Sequence, residues 1–107
     1  MYYYTISQNE LTQYLQRSDT TLIDLRTPEA FQRGHIPGAI NIPYAQLHKK
    51  SLSDFNKEIV IFYCDRGSQS LLAARDLQKR GIRAFSIYGG FLAYRGPIKR
   101  LMKQANS

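Results

Sequence analysis

Cys64 is the residue of this chain whose type and position best suit a nucleophile. It directly follows the apolar run at residues 59–63, and the short segment Asp65–Ser70 leads from it into a stretch with helical periodicity. In open parallel sheets, ligands bind at the carboxyl ends of strands. Free loop amides and the dipole of a following helix both favour an anion, so we expect the amides of Asp65–Ser70 to converge on a Cys64 thiolate.

Two neighbours of Cys64 favour this chemistry. Gly67 permits a backbone conformation that carries its amide inward, and Arg66 adds positive charge beside the mouth of the loop. The thiolate is the nucleophilic form of cysteine, and a free thiol is only a few per cent ionised at neutral pH. The alternative is that Cys64 is a small, inert apolar residue at the end of a buried strand. The spacing alone leaves both interpretations open.

Short β-type runs alternate with helical runs along the chain, which favours an α/β domain with a largely parallel sheet. We predict strands over residues 2–6, 21–25, 39–42, 58–63 and 84–88. Helices are predicted to follow the capping box Ser7–Glu10 and the cap at Thr27, to cover residues 70–80, and to follow Gly89 and Gly90. Residues 49–57 are polar and are typical of a loop or a broken helix.

The composition is that of one compact soluble domain covering residues 1–107, with 43% hydrophobic and 21% charged residues. The single cysteine excludes an internal disulfide, and with only His35 and His48 it leaves no Cys-rich zinc cluster. The apolar runs are far shorter than the ~20 residues of a membrane span, and the first residues do not resemble a secretory signal. We therefore expect a cytoplasmic protein without a membrane partner.

The net charge of +7 is unevenly distributed, because residues 54–107 hold ten Lys and Arg against four Asp and Glu. Such a surface can attract nucleic acid, acidic membrane or a small anion, and charge alone does not choose between them. The sequence shows neither an aromatic motif for binding single-stranded nucleic acid nor a zinc finger, so we predict no nucleic-acid partner. Four cations near the end of the chain have helical spacing, namely Arg95, Lys99, Arg100 and Lys103. This spacing predicts that they form the solvent-facing side of a final amphipathic helix. The alternative is that they form a docking patch for an acidic partner.

Five segments carry a resemblance to a known family. They are Ile23-Asp24-Leu25-Arg26, Glu29-Ala30-Phe31, the run Gly-His-Ile-Pro-Gly-Ala-Ile-Asn-Ile-Pro at residues 34–43, Val60-Ile61-Phe62-Tyr63-Cys64 and Tyr88-Gly89-Gly90-Phe91. In this order they resemble the single-domain rhodanese family of sulfurtransferases. The resemblance implies a three-layer α/β/α domain with a five-stranded, mainly parallel central sheet.

The resemblance also implies a reaction. Cys64 would be the catalytic nucleophile that takes sulfane sulfur from a small anionic donor such as thiosulfate and holds it as a persulfide. A thiol acceptor, small molecule or protein, or cyanide would then remove that sulfur. Neither a metal nor an organic cofactor is required. The substrate-binding residues implied are those of the loop: Asp65, Arg66, Gly67, Ser68, Gln69 and Ser70.

Two features of the loop limit the function. Related phosphatases place an arginine six positions after the cysteine to clamp a phosphate, whereas this chain has Ser70 there, so phosphatase activity is not expected. Many rhodaneses have an arginine just before that serine, and here the residue is Gln69. This change favours the alternative of a catalytically weak binding or persulfide-carrier module that docks a protein partner through its basic C-terminal half.

Several other residues are candidates for supporting roles. His35 lies in a Gly-His-Ile-Pro turn and is expected to be a hydrogen-bonded scaffold residue. Asp24 and Arg26 end a strand at the same edge, so they either support the cysteine loop or pair with one another. Phe91 and Tyr94, at helical spacing, either wall the pocket or pack the final helix.

Overall fold

The computed structural model describes residues 4–55 and 59–101. Its centre is a five-stranded sheet in the order β1-β5-β4-β2-β3, with every neighbouring pair parallel. The strands are β1 (Thr5–Ile6), β2 (Thr20–Asp24), β3 (Ile40–Asn41), β4 (Ile59–Tyr63) and β5 (Arg83–Ile87). The α/β class and the parallel five-stranded sheet predicted for this chain are confirmed.

In the described residues, four α-helices and one 3-10 turn, Leu52–Phe55, lie between the strands, and a fifth α-helix follows the last strand. The helices are α1 (Gln8–Leu15), α2 (Pro28–Arg33), α3 (Tyr44–Leu47), α4 (Ser68–Lys79) and α5 (Gly90–Ala93). The predicted capping box is present, since the Glu10 amide donates to the Ser7 hydroxyl and the Ser7 amide donates to the Glu10 carboxylate. The Thr27 hydroxyl likewise accepts from the Ala30 amide.

β4 is buried on both faces, as its continuous apolar sequence predicted. Val60, Phe62 and Cys64 point into a core formed with α4, while Ile61 and Tyr63 point into the opposite core, to which α1 contributes Leu11. These two cores on either side of the sheet give the three-layer α/β/α arrangement. Cys64 is thereby fixed at the carboxyl end of the central strand.

The predicted final amphipathic helix is wrong for the described residues. α5 ends at Ala93, and Lys99 instead forms an antiparallel bridge with His35. The physical reason is Pro97, which has no amide hydrogen and disfavours a helical conformation at the preceding Gly96. Lys103, which was assigned to the same face, lies outside the described residues.

Other differences concern element boundaries. α4 begins at Ser68 rather than Ser70, and the short helix α3 was not predicted. The predicted first strand is described only from residue 4 onward, and the region 49–57 contains the 3-10 turn in its described part. The chain between residues 4 and 101, leaving out 56–58, holds no helix of the length and apolarity needed to cross a bilayer.

Candidate active site

The carboxyl ends of β2, β3 and β4 surround a cavity of about 510 Å³. The chain moves outward from β2 to β3 and then returns to place β4 on the other side of β2, so the cavity lies where the strand order reverses. It is lined by Leu25, Arg26, Thr27 and Ala30 after β2, by Pro43, Tyr44 and Ala45 after β3, and by Cys64, Asp65, Arg66, Ser68 and Gln69 after β4.

The Cys64 side chain is only 4% exposed, yet it lines this cavity. The Gly67 amide donates to Cys64 Sγ at 3.1 Å and the Ser70 amide at 3.5 Å. The Ser70 amide belongs to the first turn of α4, where amides have no acceptor within the helix. Gly67 adopts φ of +105°, in the left-handed region that favours glycine, and this turn directs its own amide to the sulfur. The two N–H groups provide an anion site at the sulfur.

The convergence of amides is narrower than the sequence predicted. Within residues 59–101, Gly67 and Ser70 supply the backbone hydrogen bonds to Cys64 Sγ. The short loop turns at Gly67, so only groups on the inner side of that turn face the sulfur. The other loop residues are exposed and face the cavity instead, namely Asp65, Arg66, Ser68 and Gln69.

Asp24 and Arg26 form a buried ion pair beside the cavity. Arg26 Nη2 donates to Asp24 Oδ2 at 2.7 Å, and the Arg26 amide donates to Asp24 Oδ1 at 2.8 Å. Burial by itself lowers the pKa of Arg26, but the hydrogen bond and charge of Asp24 raise it above its usual value. Pairing, one of the two predicted roles, is therefore confirmed. Arg26 also lines the Cys64 cavity, and its place directly after β2, at the same sheet edge, is the signal that could have assigned it there.

Comparison with known proteins identifies the family. The Rhodanese-like domain model matches residues 7–96. The chain belongs to this family. It is 36% identical over 86 residues to a tRNA sulfurtransferase of Desulfurococcus amylolyticus, a match covering 77% of this chain and 16% of that protein. It is 39% identical over 79 residues to YqhL of Bacillus subtilis, covering 73% and 63%. The chain thus spans less than two thirds of either relative.

A solved structure agrees with the family assignment. The rhodanese-like domain protein of Staphylococcus aureus superposes with a TM-score of 0.77 at 29% identity, covering 91% of this chain and 97% of that one. The resemblance read from the segments at residues 23–43, 60–64 and 88–91 is confirmed.

In this rhodanese-like domain, α5 holds the cysteine loop from behind. The Phe91 amide donates to the Cys64 carbonyl at 2.8 Å, and the Leu92 amide donates to the Asp65 carbonyl at 3.0 Å. Gly90 makes this approach possible, because a Cβ at that position would lie 2.5 Å from the Asp65 carbonyl oxygen. Of the two roles predicted for Phe91 and Tyr94, lining the Cys64 cavity is wrong, because both side chains pack instead, against the core on the α1 side.

Replacing Gly90 by alanine is expected to lower the free energy of unfolding by about 2–3 kcal/mol, since the new Cβ overpacks the site and φ is +65°. Because α5 must then retreat from the cysteine loop, alkylation of Cys64 is expected to slow roughly tenfold or more. Gly81→Ala is the matched control, because Gly81 also has a positive φ, of +91°, but the Cβ of an alanine there would meet no atom within 4 Å. Urea titration measures the stability, and iodoacetamide kinetics measure the alkylation of Cys64. Equal losses of stability and alkylation rate in the two variants would contradict the role of α5 in holding the cysteine loop.

His35 is a scaffold residue, as the sequence predicted. Its side chain is 3% exposed, its ring lies 3.8 Å from that of Phe31, and Nδ1 is 2.8 Å from the Phe31 carbonyl oxygen. Its backbone exchanges two hydrogen bonds with Lys99. These contacts hold the His35 side chain in the scaffold, and His35 does not line the Cys64 cavity.

Proposed function

We propose that this rhodanese-like domain is a sulfurtransferase that carries sulfane sulfur as a persulfide on Cys64. The observation that carries the proposal is the pair of N–H groups, from Gly67 and Ser70, directed at Cys64 Sγ at the edge of an open cavity. Hydrogen bonds of this kind are stronger when the acceptor is charged, so they favour the thiolate over the thiol. Family membership and the similarity to a tRNA sulfurtransferase support the same chemistry.

The first half of the reaction loads sulfur. The Cys64 thiolate attacks the outer sulfur of thiosulfate, a new S–S bond forms, and the bond between the two thiosulfate sulfurs breaks. Sulfite leaves with the electron pair of that bond. The enzyme then carries one additional sulfur atom, and its negative charge lies on the outer atom of the persulfide. No proton has to move, because both the nucleophile and the leaving group are anions.

The second half of the reaction transfers the outer sulfur of the persulfide to an acceptor. An acceptor thiolate or cyanide attacks the outer sulfur, the S–S bond to Cys64 breaks, and Cys64 leaves as a thiolate that is again held by the Gly67 and Ser70 amides. Stabilising the leaving thiolate lowers the barrier to this step in the way an oxyanion hole does. The amides therefore serve both half-reactions.

Cations lining the cavity suit an anionic donor. Arg66 is exposed at the cavity, whereas Arg26 is largely neutralised by its ion pair with Asp24. Gln69 contributes hydrogen-bonding capacity without charge. We infer that the donor is a small sulfur anion such as thiosulfate, bound by Arg66, Ser68 and Gln69 and by the backbone rather than the carboxylate of Asp65, and that Gly67 and Ser70 hold the sulfur.

Intact-mass spectrometry tests the proposal. Incubation with thiosulfate is expected to increase the mass of the protein by one sulfur atom, and subsequent cyanide or a small thiol is expected to restore the original mass. Loss of the adduct on alkylation before thiosulfate would place it on the thiol. A protein whose mass stays unchanged over a range of thiosulfate concentrations would overturn the proposal for this donor.

A second candidate function is that of a persulfide carrier that docks a protein acceptor, and one surface favours it. A groove of about 400 Å³ adjoins the Cys64 cavity and shares Arg26, Ala30 and Asp65 with it. We call its outer part the basic groove; it combines apolar side chains with two exposed arginines, and it consists of Arg33, Phe91, Leu92, Ile98 and Arg100. Leu92 is 54% exposed and Ile98 is 49% exposed. An acidic segment with apolar side chains and an acceptor cysteine would complement this surface.

Sulfur release to two synthetic peptides tests the carrier function. One peptide has a cysteine among Glu and Leu residues, and the other has Gln in place of Glu. The acidic peptide is expected to unload the persulfide faster, and Arg100→Gln is expected to lower that preference roughly twofold to fivefold, since an exposed charge pair contributes up to ~1 kcal/mol. Arg83→Gln is the matched control, because Arg83 is an exposed arginine at the amino end of β5. Equal rates with both peptides would contradict the docking role.

A further inference from the structure

Two buried serine hydroxyls lie behind the cysteine sulfur. Ser70, in the first turn of α4, is 0% exposed, and Ser86, in β5, is 1% exposed. Their oxygens are 2.6 Å apart, and Ser70 Oγ is 3.5 Å from Cys64 Sγ. A buried hydroxyl is costly unless it is hydrogen-bonded, and the contact between Ser70 and Ser86 gives each hydroxyl a partner. A chain of hydrogen-bonding atoms therefore runs from the sulfur into the sheet.

Counting protons shows what each hydroxyl can do. Ser70 Oγ has three neighbours, namely Cys64 Sγ, the Gly67 carbonyl oxygen at 3.2 Å and Ser86 Oγ, but it has only one proton to donate. A Cys64 thiol can donate its own proton to Ser70 Oγ, which leaves the Ser70 proton for the Gly67 carbonyl. A thiolate has no proton to donate, so it can accept from Ser70 Oγ in addition to the Gly67 and Ser70 amides. Ser70 Oγ can donate to it only when the short contact to Ser86 is made by the Ser86 proton.

We propose that Ser86 is a positioning residue for the sulfur chemistry. Its hydroxyl donates to Ser70 Oγ, which leaves the Ser70 proton free for Cys64 Sγ and polarises the Ser70 O–H bond, so that the hydrogen bond to a negatively charged sulfur is strengthened. The inference rests on the proposed function to the extent that the transfer cycle starts and ends with this thiolate. In the persulfide the charge moves to the outer sulfur, and the Ser70 hydroxyl turns back to the Gly67 carbonyl.

This arrangement has a kinetic consequence. The hydroxyl pair stabilises the Cys64 thiolate more than the persulfide, so it assists the step in which Cys64 is the leaving group. Among the described residues, the hydrogen bond of Ser86 is to Ser70 and that of Ser70 is to the sulfur, so Ser86 acts through Ser70. Removing Ser86 is therefore expected to slow unloading of the persulfide by an acceptor thiol and to reduce the thiolate fraction of the free enzyme.

The experiment is the pH profile of Cys64 alkylation by iodoacetamide in four proteins: wild type, Ser86→Ala, Ser86→Thr and Ser86→Val. Threonine keeps the hydroxyl, and valine has nearly the same shape without it. Alanine and valine are expected to lower the alkylation rate at neutral pH by about threefold and to move the profile to higher pH, because the Ser86 proton no longer polarises the Ser70 hydroxyl that donates to the thiolate. Threonine is expected to stay close to the wild-type rate, because it keeps that proton. The charged residues lining the cavity, Arg26, Asp65 and Arg66, are unchanged throughout.

Two results would overturn the inference. Identical profiles for all four proteins would reduce Ser86 to a packing residue, and equal shifts for threonine and valine would assign the effect to volume. If threonine and valine both unfold the protein, Ser70→Ala and the double mutant Ser70→Ala/Ser86→Ala decide, because adding Ser86→Ala to Ser70→Ala must then cause no further shift. Sulfur loading of the wild type is measured in the same samples. A wild type that alkylates as expected but takes up no sulfur would refute the proposed function and leave the role of Ser86 intact.

Discussion

Replacing Cys64 by serine is expected to abolish the gain of one sulfur atom from thiosulfate while the fold is retained. The chain has no other cysteine, so no second thiol can substitute. A serine hydroxyl is almost entirely un-ionised at neutral pH and is a poor nucleophile toward sulfur, and loss of a covalent nucleophile costs at least about a thousandfold in rate. The serine oxygen would still meet the Gly67 and Ser70 donors, so we expect stability within about 1 kcal/mol of wild type.

The measurement combines intact mass after thiosulfate with a urea titration of the same preparation. Ser53→Ala is a suitable control, because Ser53 is an exposed serine in the 3-10 turn, away from the lining of the Cys64 cavity. An undiminished mass gain in the Cys64→Ser protein would mean that sulfur binds elsewhere on the chain. A gain that depends on Cys64 but is not released to any thiol or cyanide would describe a dead-end adduct, and it would contradict a transfer cycle.

The features that could be predicted from the sequence are those decided within a few residues. The caps at Ser7 and Thr27 satisfy local amides, so their residue types are sufficient to place the starts of α1 and α2. The continuous apolar run of β4 likewise predicted a strand covered on both faces and thereby placed Cys64 at its end. The five-stranded, three-layer fold came from the family resemblance, because pairing between distant strands is not encoded locally.

The features that were missed depend on residues far apart in the chain. Ser86 is 16 positions from Ser70, and the sequence around either serine does not predict the contact between them. The predicted final helix is wrong for a different reason, because Pro97 interrupts the charge periodicity and disfavours a helix through that segment. The sequence predicts that the amides of Asp65–Ser70 converge on the sulfur, but the turn at Gly67 decides which of them face it.

Asp24→Asn is expected to cause the largest loss of stability among these variants, about 3–5 kcal/mol, because it leaves a buried guanidinium without its counter-charge. Asp24 is 0% exposed and accepts three hydrogen bonds shorter than or equal to 3.0 Å from Arg26 alone. Asparagine keeps the shape but has one acceptor oxygen and no charge. The remaining contacts of Arg26, with the Gly34 carbonyl at 2.6 Å and the Phe91 ring at 4.0 Å, hold the guanidinium in place without neutralising it.

Asp76→Asn is the matched control, because the pair of Asp76 with Arg80 on α4 is more than half exposed and contributes less than about 1 kcal/mol. The Asp24 variant should also change the field in the Cys64 cavity, since the Arg26 charge is no longer cancelled there. We therefore expect alkylation by anionic iodoacetate to rise roughly twofold to fivefold relative to neutral iodoacetamide, the effect of one unit charge across a solvated cavity. If the ratio of the iodoacetate rate to the iodoacetamide rate is unchanged in a folded Asp24→Asn variant, Arg26 exerts no field on the sulfur. The contribution of Arg26 would then be limited to the stability of the fold.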